Sequence, residues 1–470
     1  MPSRSPEPRA VISIPPPDLI RKYDRPGPRY TSYPTAPEWS DAFGPPQFVE
    51  SLERADAQTG PLSIYVHLPF CREMCRFCGC NVVATHDRTR ADDYLDVLEK
   101  EVALVAARLP RRRTATQLHW GGGTPTFLDE KQLARCHAIV ARHFDFAPDA
   151  ELAIEIDPAI TPRSQINRLS ELGFNRISMG VQDFDAKVQE TVARIQSEKE
   201  TADLVQAARD RGFKGVNLDL IYGLPYQTVD TWKRTLDKIL RIQPDRMAVF
   251  GFAWVPWAKP HQRLLPESAL PKTAERVELF LAAVQAFTGA GYRLIGLDHF
   301  ALETDELARA QDEGVLTRNF QGYTVRPADD TVAFGMTSIS DLGGAYAQNA
   351  HRLREWADLV AAGTIPVAKG IRVTDDDVLR RFVINRVMCL LRLDLSEVEA
   401  RFGLPARRAI EASMQPGLPE LVKDGLVTFD GTLLRVTSVG QLLVRNVAMM
   451  FDAYLPKRAG EKQQTFSRTV

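Results

Sequence analysis

The sequence predicts an α/β fold on parallel strands, and three observations carry that prediction. Short apolar stretches alternate with amphipathic ones through the middle of the chain, which is the signature of strand–helix–strand units. At 470 residues the chain is too long for one compact core, so a large domain with smaller attachments is expected. Its composition, 44% hydrophobic and 25% charged, excludes collagen-like, coiled-coil and disordered classes, and no run approaches the roughly 18 apolar residues of a membrane span.

In chain order the predicted strands are Leu62 to Leu68, Gln117 to Trp120, Leu152 to Ile156, Ile177 to Val181, Val216 to Ile221, Met247 to Phe252 and Arg293 to Leu297. Between the first two, Leu95, Leu98, Val102, Val105 and Leu109 recur at steps of three and four, as a helix buried along one face requires. Further helices are expected over 129–144, 163–172, 198–211, 229–242 and 273–287. Such alternation gives parallel strands with right-handed crossovers, hence a doubly wound sheet or a full or partial TIM-like barrel. Periodicity alone does not choose between them.

The first 45 residues are Pro-rich and poorly periodic, and read either as an arm extended over the main domain or as a disordered leader. They lack the apolar core of a secretory signal, so a reducing, cytoplasmic location is the default expectation. From about residue 372 the pattern turns to helices and then to two short strands around Asp430-Gly431, a hairpin turn, giving a small winged-helix-like module. A wing suggests DNA, but 15 basic against 12 acidic residues over 371–470 is too weak for a dedicated reader. Over the whole chain 59 basic residues face 60 acidic ones, so nothing argues for a polyanionic partner.

Four of the six cysteines, Cys71, Cys75, Cys78 and Cys80, fall within ten residues directly after the first strand. That loop leaves the C-terminal edge of the sheet, where α/β folds place their chemistry. The four- and three-residue spacings let Cys71, Cys75 and Cys78 converge on one inorganic centre. Zinc is one candidate, although a structural zinc site usually takes a second ligand pair that this sequence does not supply. A 4Fe–4S cluster is the other, with three thiolates on three irons and the fourth iron open. Cys80 could fill that position, but its offset from Cys78 makes shared ligation awkward, so a role beside the cluster is as plausible.

The next strand ends in Gly121, Gly122 and Gly123, whose bare backbone could approach a ligand closely. No phosphate-binding fingerprint is present. Later strands contribute Glu155 and Asp157, Gln182 and Asp183, and Asp219, each polar in an otherwise apolar setting where an isolated carboxylate is costly. The cysteine loop, the glycine loop, Glu155, Gln182 and Asp219, all expected at one sheet edge, describe a composite binding site.

These residues resemble the radical S-adenosylmethionine (SAM) superfamily. RYTSYPTA, YVHLPFCREMCRFCGC, HWGGGTPTFL, EIDP, GVQDF, RIQ, LDLIYGLP, GLDHFA, RNFQGYT, AYAQN and FSR resemble oxygen-independent coproporphyrinogen III oxidases over nearly the whole chain. The resemblance implies a TIM-like partial (β/α) barrel of the radical SAM type at 47–371, an N-terminal arm at 1–46 and a C-terminal helical, winged-helix-like domain at 372–470. It implies a 4Fe–4S cluster on Cys71, Cys75 and Cys78 with two SAM sites. Tyr65, Gly122, Glu155 and Ile339 would surround the SAM on the cluster. Phe77, Gly123, Thr124, Gln182, Arg194, Asp219 and Ala253 would form the second site, and Cys80 would be catalytic without ligating iron. The segment with Trp254 and Trp257, beside Ala253, departs from the family pattern. The implied reaction converts two propionates of coproporphyrinogen III to vinyl groups. Its implied partners are an electron donor such as flavodoxin or ferredoxin and an unidentified terminal acceptor, with a monomeric chain and no nucleic acid. A radical-SAM-like haem chaperone is the rival; Cys80 and the RYTSYPTA arm argue against it.

Overall fold

The computed structural model describes residues 12–326, 328–455 and 466–469. The chain divides into two compact units, Trp39–Ala290 with Arg326–Arg372, and residues up to Glu38 with Gly291–Val325 and Val373 onwards.

The larger unit is built on β1 (Leu62–Leu68), β2 (Thr114–Gly122), β3 (Asp145–Ile156), β4 (Arg176–Gln182), β5 (Gly215–Tyr222), β6 (Arg246–Gly251), β7 (Asp330–Phe334), β8 (Ile339–Leu342), β9 (Ala345–Asn349) and β10 (Val367–Arg372). Their order is β10-β9-β8-β7-β1-β2-β3-β4-β5-β6. Strands β1 to β6 pair in parallel with their sequence neighbours, and β7 pairs in parallel with β1. This sequential winding, without the reversal of a doubly wound sheet, is that of a barrel left partly open. Antiparallel β8 to β10 continue the sheet beyond β7.

Helices α1 (Thr89–Ala106), α2 (Glu130–Ala141), α3 (Arg163–Glu171), α4 (Glu198–Asp210) and α5 (Val229–Ile242) make the crossovers. Leu95, Leu98 and Val102 of α1 are wholly buried, as their spacing predicts. The helix starts are set locally. Asp129 accepts from the N–H groups of Lys131 and Gln132, and Ser197 and Thr228 cap α4 and α5 through Glu200 and Thr231.

The strand expected at Arg293 to Leu297 is present as Tyr292–Gly296, but it pairs antiparallel with His299–Leu302 in the smaller unit and does not continue the parallel series. The parallel strand beside β1 is instead β7, whose apolar run is only Val332, Ala333 and Phe334. Among the described residues no helix is long and apolar enough to cross a membrane.

In the smaller unit the N-terminal arm is packed. Tyr30 donates to Asp452 (3.0 Å), Tyr33 accepts from the Ala453 N–H (2.9 Å), and Arg445 donates to the Gly27 and Pro28 carbonyls. Residues 12–38 thus belong to the smaller unit, with the C-terminal segment of the chain as their partner, whereas the sequence reading extends them as an arm over the main domain; residues 1–11 lie outside the described residues. The predicted hairpin is present between Val427–Phe429 and Leu433–Val436, with Arg392–Asp394 as a third strand. Asp430 Oδ1 accepts from the Thr432 and Leu433 N–H groups at its turn. Residues 291–325 belong to this unit, a grouping that three consecutive sequence segments do not express.

A buried carboxylate links α1 to the β7–β9 side of the sheet. Glu101 accepts from the Gly335 N–H (2.8 Å), Asn349 Nδ2 (2.6 Å) and Trp356 Nε1 (3.0 Å). Burial nevertheless pushes its carboxyl up to about 7 from an ordinary value of 4.5. A raised folded-state value means that Glu101 contributes most below pH 4.5 and loses that contribution as the pH rises through about 7. Glu101→Ala orphans two buried donors, the Gly335 N–H and Trp356 Nε1, while Asn349 Nδ2 keeps the Gly335 carbonyl and Ser338 Oγ, and is expected to lower unfolding stability by about 3 kcal/mol. Denaturant titrations across pH should show this loss and a flatter pH slope than wild type.

Candidate active site

Strands β1 to β5 each bring a polar group to one side of the sheet. Along β4 and β5 burial alternates residue by residue, so one face of each strand packs on helices while Ser178, Gln182, Asn217 and Asp219 stand on the other. Tyr65 and His67 of β1 and His119 of β2 share that face: the Tyr65 and His119 rings stack at 5.8 Å, and Tyr65 Oη lies 3.2 Å from His67 Nδ1. His67 Nε2 meets the Asn81 carbonyl at 3.1 Å, and burial pushes its imidazole down to about 4.

Glu155, near the end of β3, is held by His119 Nε2 (3.1 Å) and by the Gly122 N–H (3.3 Å). Burial acts to raise its pKa, but the His119 contact and the Gly122 donor outweigh it and hold the carboxyl below the ordinary glutamate value. It is an ionised group, and 44% of its side chain remains exposed and available to a ligand.

The glycine run and the cysteine loop lie against each other. Gly123 N–H donates to the Leu68 carbonyl (2.9 Å) and Thr124 N–H to that of Phe70 (2.8 Å). A Cβ on Gly123 would stand 2.6 Å from the Pro69 carbonyl carbon, a contact with backbone that cannot swing aside. Thr124 also places Oγ1 3.5 Å from Cys71 Sγ.

Within the loop, the Cys78 N–H turns back to the Cys75 carbonyl (3.1 Å). All four cysteines are free thiols. Burial pushes the Cys71 thiol up to about 11 and raises Cys75 as well, with Arg194 opposing the rise at Cys75. Cys78 is pushed down to about 6, first by the hydrogen bond from the Cys80 thiol and then by the Cys80 N–H, 3.4 Å away. The Cys80 thiol, the donor of that pair, stays well above its ordinary value. Arg76 anchors the middle of the loop through the Thr191 and Val192 carbonyls, both its guanidinium and its N–H being used.

Arg194 reaches the same edge as an anchored group and not as a surface residue. It pairs with Asp157 (2.7 Å), donates to the Gly180 carbonyl (2.8 Å) and lies 3.8 Å from Cys75 Sγ. Gln182 sits beside it with a left-handed backbone, φ 68°. Gln182 Oε1 and Arg194 Nε are buried without partners, which is where a polar ligand would be received. Asp219 is held by Ser178 (3.0 Å) and Asn217 (2.7 Å). Phe77 packs with Trp254 against Val188, Val192, Leu224, Phe252 and Leu265. Ala253 follows β6, and Ile339 opens β8 opposite Gln348.

Four participants were not singled out from sequence: His67, His119, Asp157 as the Arg194 partner, and Gln262, which bonds both the Phe77 and Ala253 carbonyls at 3.1 Å. The period-two pattern could have found the first two, since Tyr65-x-His67 and Gln117-x-His119 alternate with apolar residues. Nothing local marks Gln262.

The donor set fits a 4Fe–4S cluster and SAM: three neighbouring thiols, a bare glycine backbone, an exposed ionised carboxylate and unpartnered buried polar atoms. A cube takes one thiolate per iron, so the sulfurs need not close on a single point; among the described residues no group of three side chains is arranged around one metal ion.

Fold and site together define a radical SAM protein. Residues 65–239 match the radical SAM superfamily and residues 373–443 the HemN C-terminal domain. The chain is 42% identical to the oxygen-independent coproporphyrinogen III oxidases of Synechocystis sp. (96% of this chain, 97% of the relative) and Escherichia coli K12 (96% and 98%). The solved coproporphyrinogen III oxidase HemN from Escherichia coli, described as a radical SAM enzyme, superposes with a TM-score of 0.89 at 41% identity, over 94% of this chain and all of that one. The chain belongs to the family of oxygen-independent coproporphyrinogen III oxidases.

Gly123→Ala is expected to hold less iron per chain than wild type after anaerobic reconstitution, because the two loops must part. Gly79→Ala, with open space around its Cβ, should hold the wild-type amount; iron and sulfide assays compare them.

Proposed function

We propose that this chain carries out the oxygen-independent oxidative decarboxylation of two propionate side chains of coproporphyrinogen III, giving the vinyl groups of protoporphyrinogen IX. The observation that carries this reading is the near-full-length likeness to enzymes of that name, in a chain whose cysteine loop lies at the polar edge of the barrel sheet. The oxidase name of those relatives favours this reading over a haem chaperone.

Cys71, Cys75 and Cys78 hold the 4Fe–4S cluster in this reading, and Gly122, Tyr65, Glu155 and Ile339 surround the SAM on it. Glu155, ionised and exposed, suits the two hydroxyls of a ribose, and His119 fixes the carboxylate in place. Phe77, Gly123, Thr124, Gln182, Arg194, Asp219 and Ala253 form the second SAM site, where the unpartnered Arg194 Nε and Gln182 Oε1 receive polar groups. Cys80 acts beside the cluster, its N–H 3.4 Å from Cys78 Sγ. Held by these residues, the cluster and SAM would supply one-electron chemistry for removing a propionate β-hydrogen, with CO2 and one electron leaving the substrate. The residues' task is to orient one C–H bond and to exclude water and oxygen. We further propose a cytoplasmic monomer that takes electrons from a flavodoxin or ferredoxin.

Anaerobic incubation with coproporphyrinogen III, SAM and a reductant should yield protoporphyrinogen IX and 5′-deoxyadenosine; absence of both overturns the assignment. Cys71→Ser, Cys75→Ser and Cys78→Ser should each lose the brown chromophore, whereas Cys80→Ser should keep it and lose turnover. Iron loss in Cys80→Ser would make Cys80 a ligand. Glu155→Ala should keep its cluster and bind SAM about tenfold or more weakly, as loss of a charge-assisted contact implies; equilibrium binding measures this.

A further inference from the structure

We propose that Lys259, His261 and Gln262 form a clamp that positions the cysteine loop and determines how firmly it retains its iron–sulfur cluster. The inference rests on the cluster assignment above. Three side chains from one short turn reach three carbonyls of the loop. Gln262 Nε2 donates to Phe77 (3.1 Å), His261 Nε2 meets the Cys78 carbonyl (2.8 Å), and Lys259 Nζ donates to Cys80 (2.9 Å). A carbonyl only accepts, so His261 carries its proton on Nε2.

The clamp is rigid on its own side. Gln262 is 1% exposed; its Oε1 accepts from the Val255 N–H (2.7 Å) and its Nε2 also bonds the Ala253 carbonyl (3.1 Å). Residues Pro260–Leu264 form a 3-10 turn. The gripped segment, by contrast, is packed at Phe77 and open beyond Cys78. Gly79 and Cys80 are exposed, and a Cβ on Gly79 would meet nothing within 4 Å.

Because the peptide unit is planar, fixing a carbonyl fixes the N–H that follows it. Bonds to the Phe77, Cys78 and Cys80 carbonyls thereby fix the peptide units on either side of the Cys80 N–H, which lies 3.4 Å from Cys78 Sγ, and hold the Cys78 N–H on the Cys75 carbonyl. The same bonds turn those carbonyls, negative ends of dipoles, toward donors and away from competition with the cluster's own negative charge. Groups one step removed from a metal ligand commonly affect metal affinity by about 10–100-fold.

The test uses anaerobically reconstituted holoenzyme and follows iron transfer to a ferrous chelator, with the electron paramagnetic resonance of the reduced cluster recorded in parallel. His261→Ala, Gln262→Ala and Lys259→Met are each expected to release iron about tenfold faster than wild type and to show an altered cluster spectrum. Lys259→Arg, which can still reach a carbonyl, should release iron at a rate near that of wild type. Arg263→Ala lies on the same turn outside the clamp and is the control. Wild-type release rates in the three clamp variants, or equal acceleration in Arg263→Ala, overturn the proposal. A wild-type protein that takes up no iron overturns the cluster assignment and the clamp together.

Discussion

The site depends on two loops that lie closer than side chains allow. Strands β1 and β2 are neighbours in parallel register, so the segments that leave their C-terminal ends emerge side by side. One carries cysteines and the other glycines, and the Gly123 N–H closes on the Leu68 carbonyl where no Cβ fits. This approach fixes the base of the cysteine loop and aims the Gly122 N–H at Glu155. The proposed cluster cysteines and the Glu155 carboxylate are thus positioned around one backbone contact.

The architecture was largely legible because its strands and crossovers are locally encoded. Leu62–Leu68 and Val229–Ile242 have the predicted bounds, since an apolar run or a cap marks each end. The misses share a cause, which is dependence on distant partners. The short run of β7 becomes a strand only because β1 pairs with it. Tyr292–Gly296 has the apolar character of a parallel strand, but its two-residue link to His299 makes it half of a hairpin.

The site was legible in its chemical types and less so in its connections. Cysteine spacing, glycine repetition and carboxylates at strand ends are written along the chain. Which groups hold them is not. Arg194 meets Asp157 and Gly180 across two strands, and Gln262 meets Phe77 from 185 positions away. The polar face of the barrel strands, carried by His67, His119, Ser178 and Asn217, is written as period-two alternation with apolar residues, but which of these groups meet is set by pairing between distant strands.

The central claim is that three cysteines hold a cluster whose remaining iron takes SAM beside Glu155. It is tested most directly by the electron paramagnetic resonance of the reduced, anaerobic protein before and after addition of SAM labelled with 15N at the amine. A 4Fe–4S signal that changes on SAM addition and carries hyperfine coupling to the labelled nitrogen is the expected result. A protein with no cluster signal, or with a signal that SAM leaves unchanged, would contradict it.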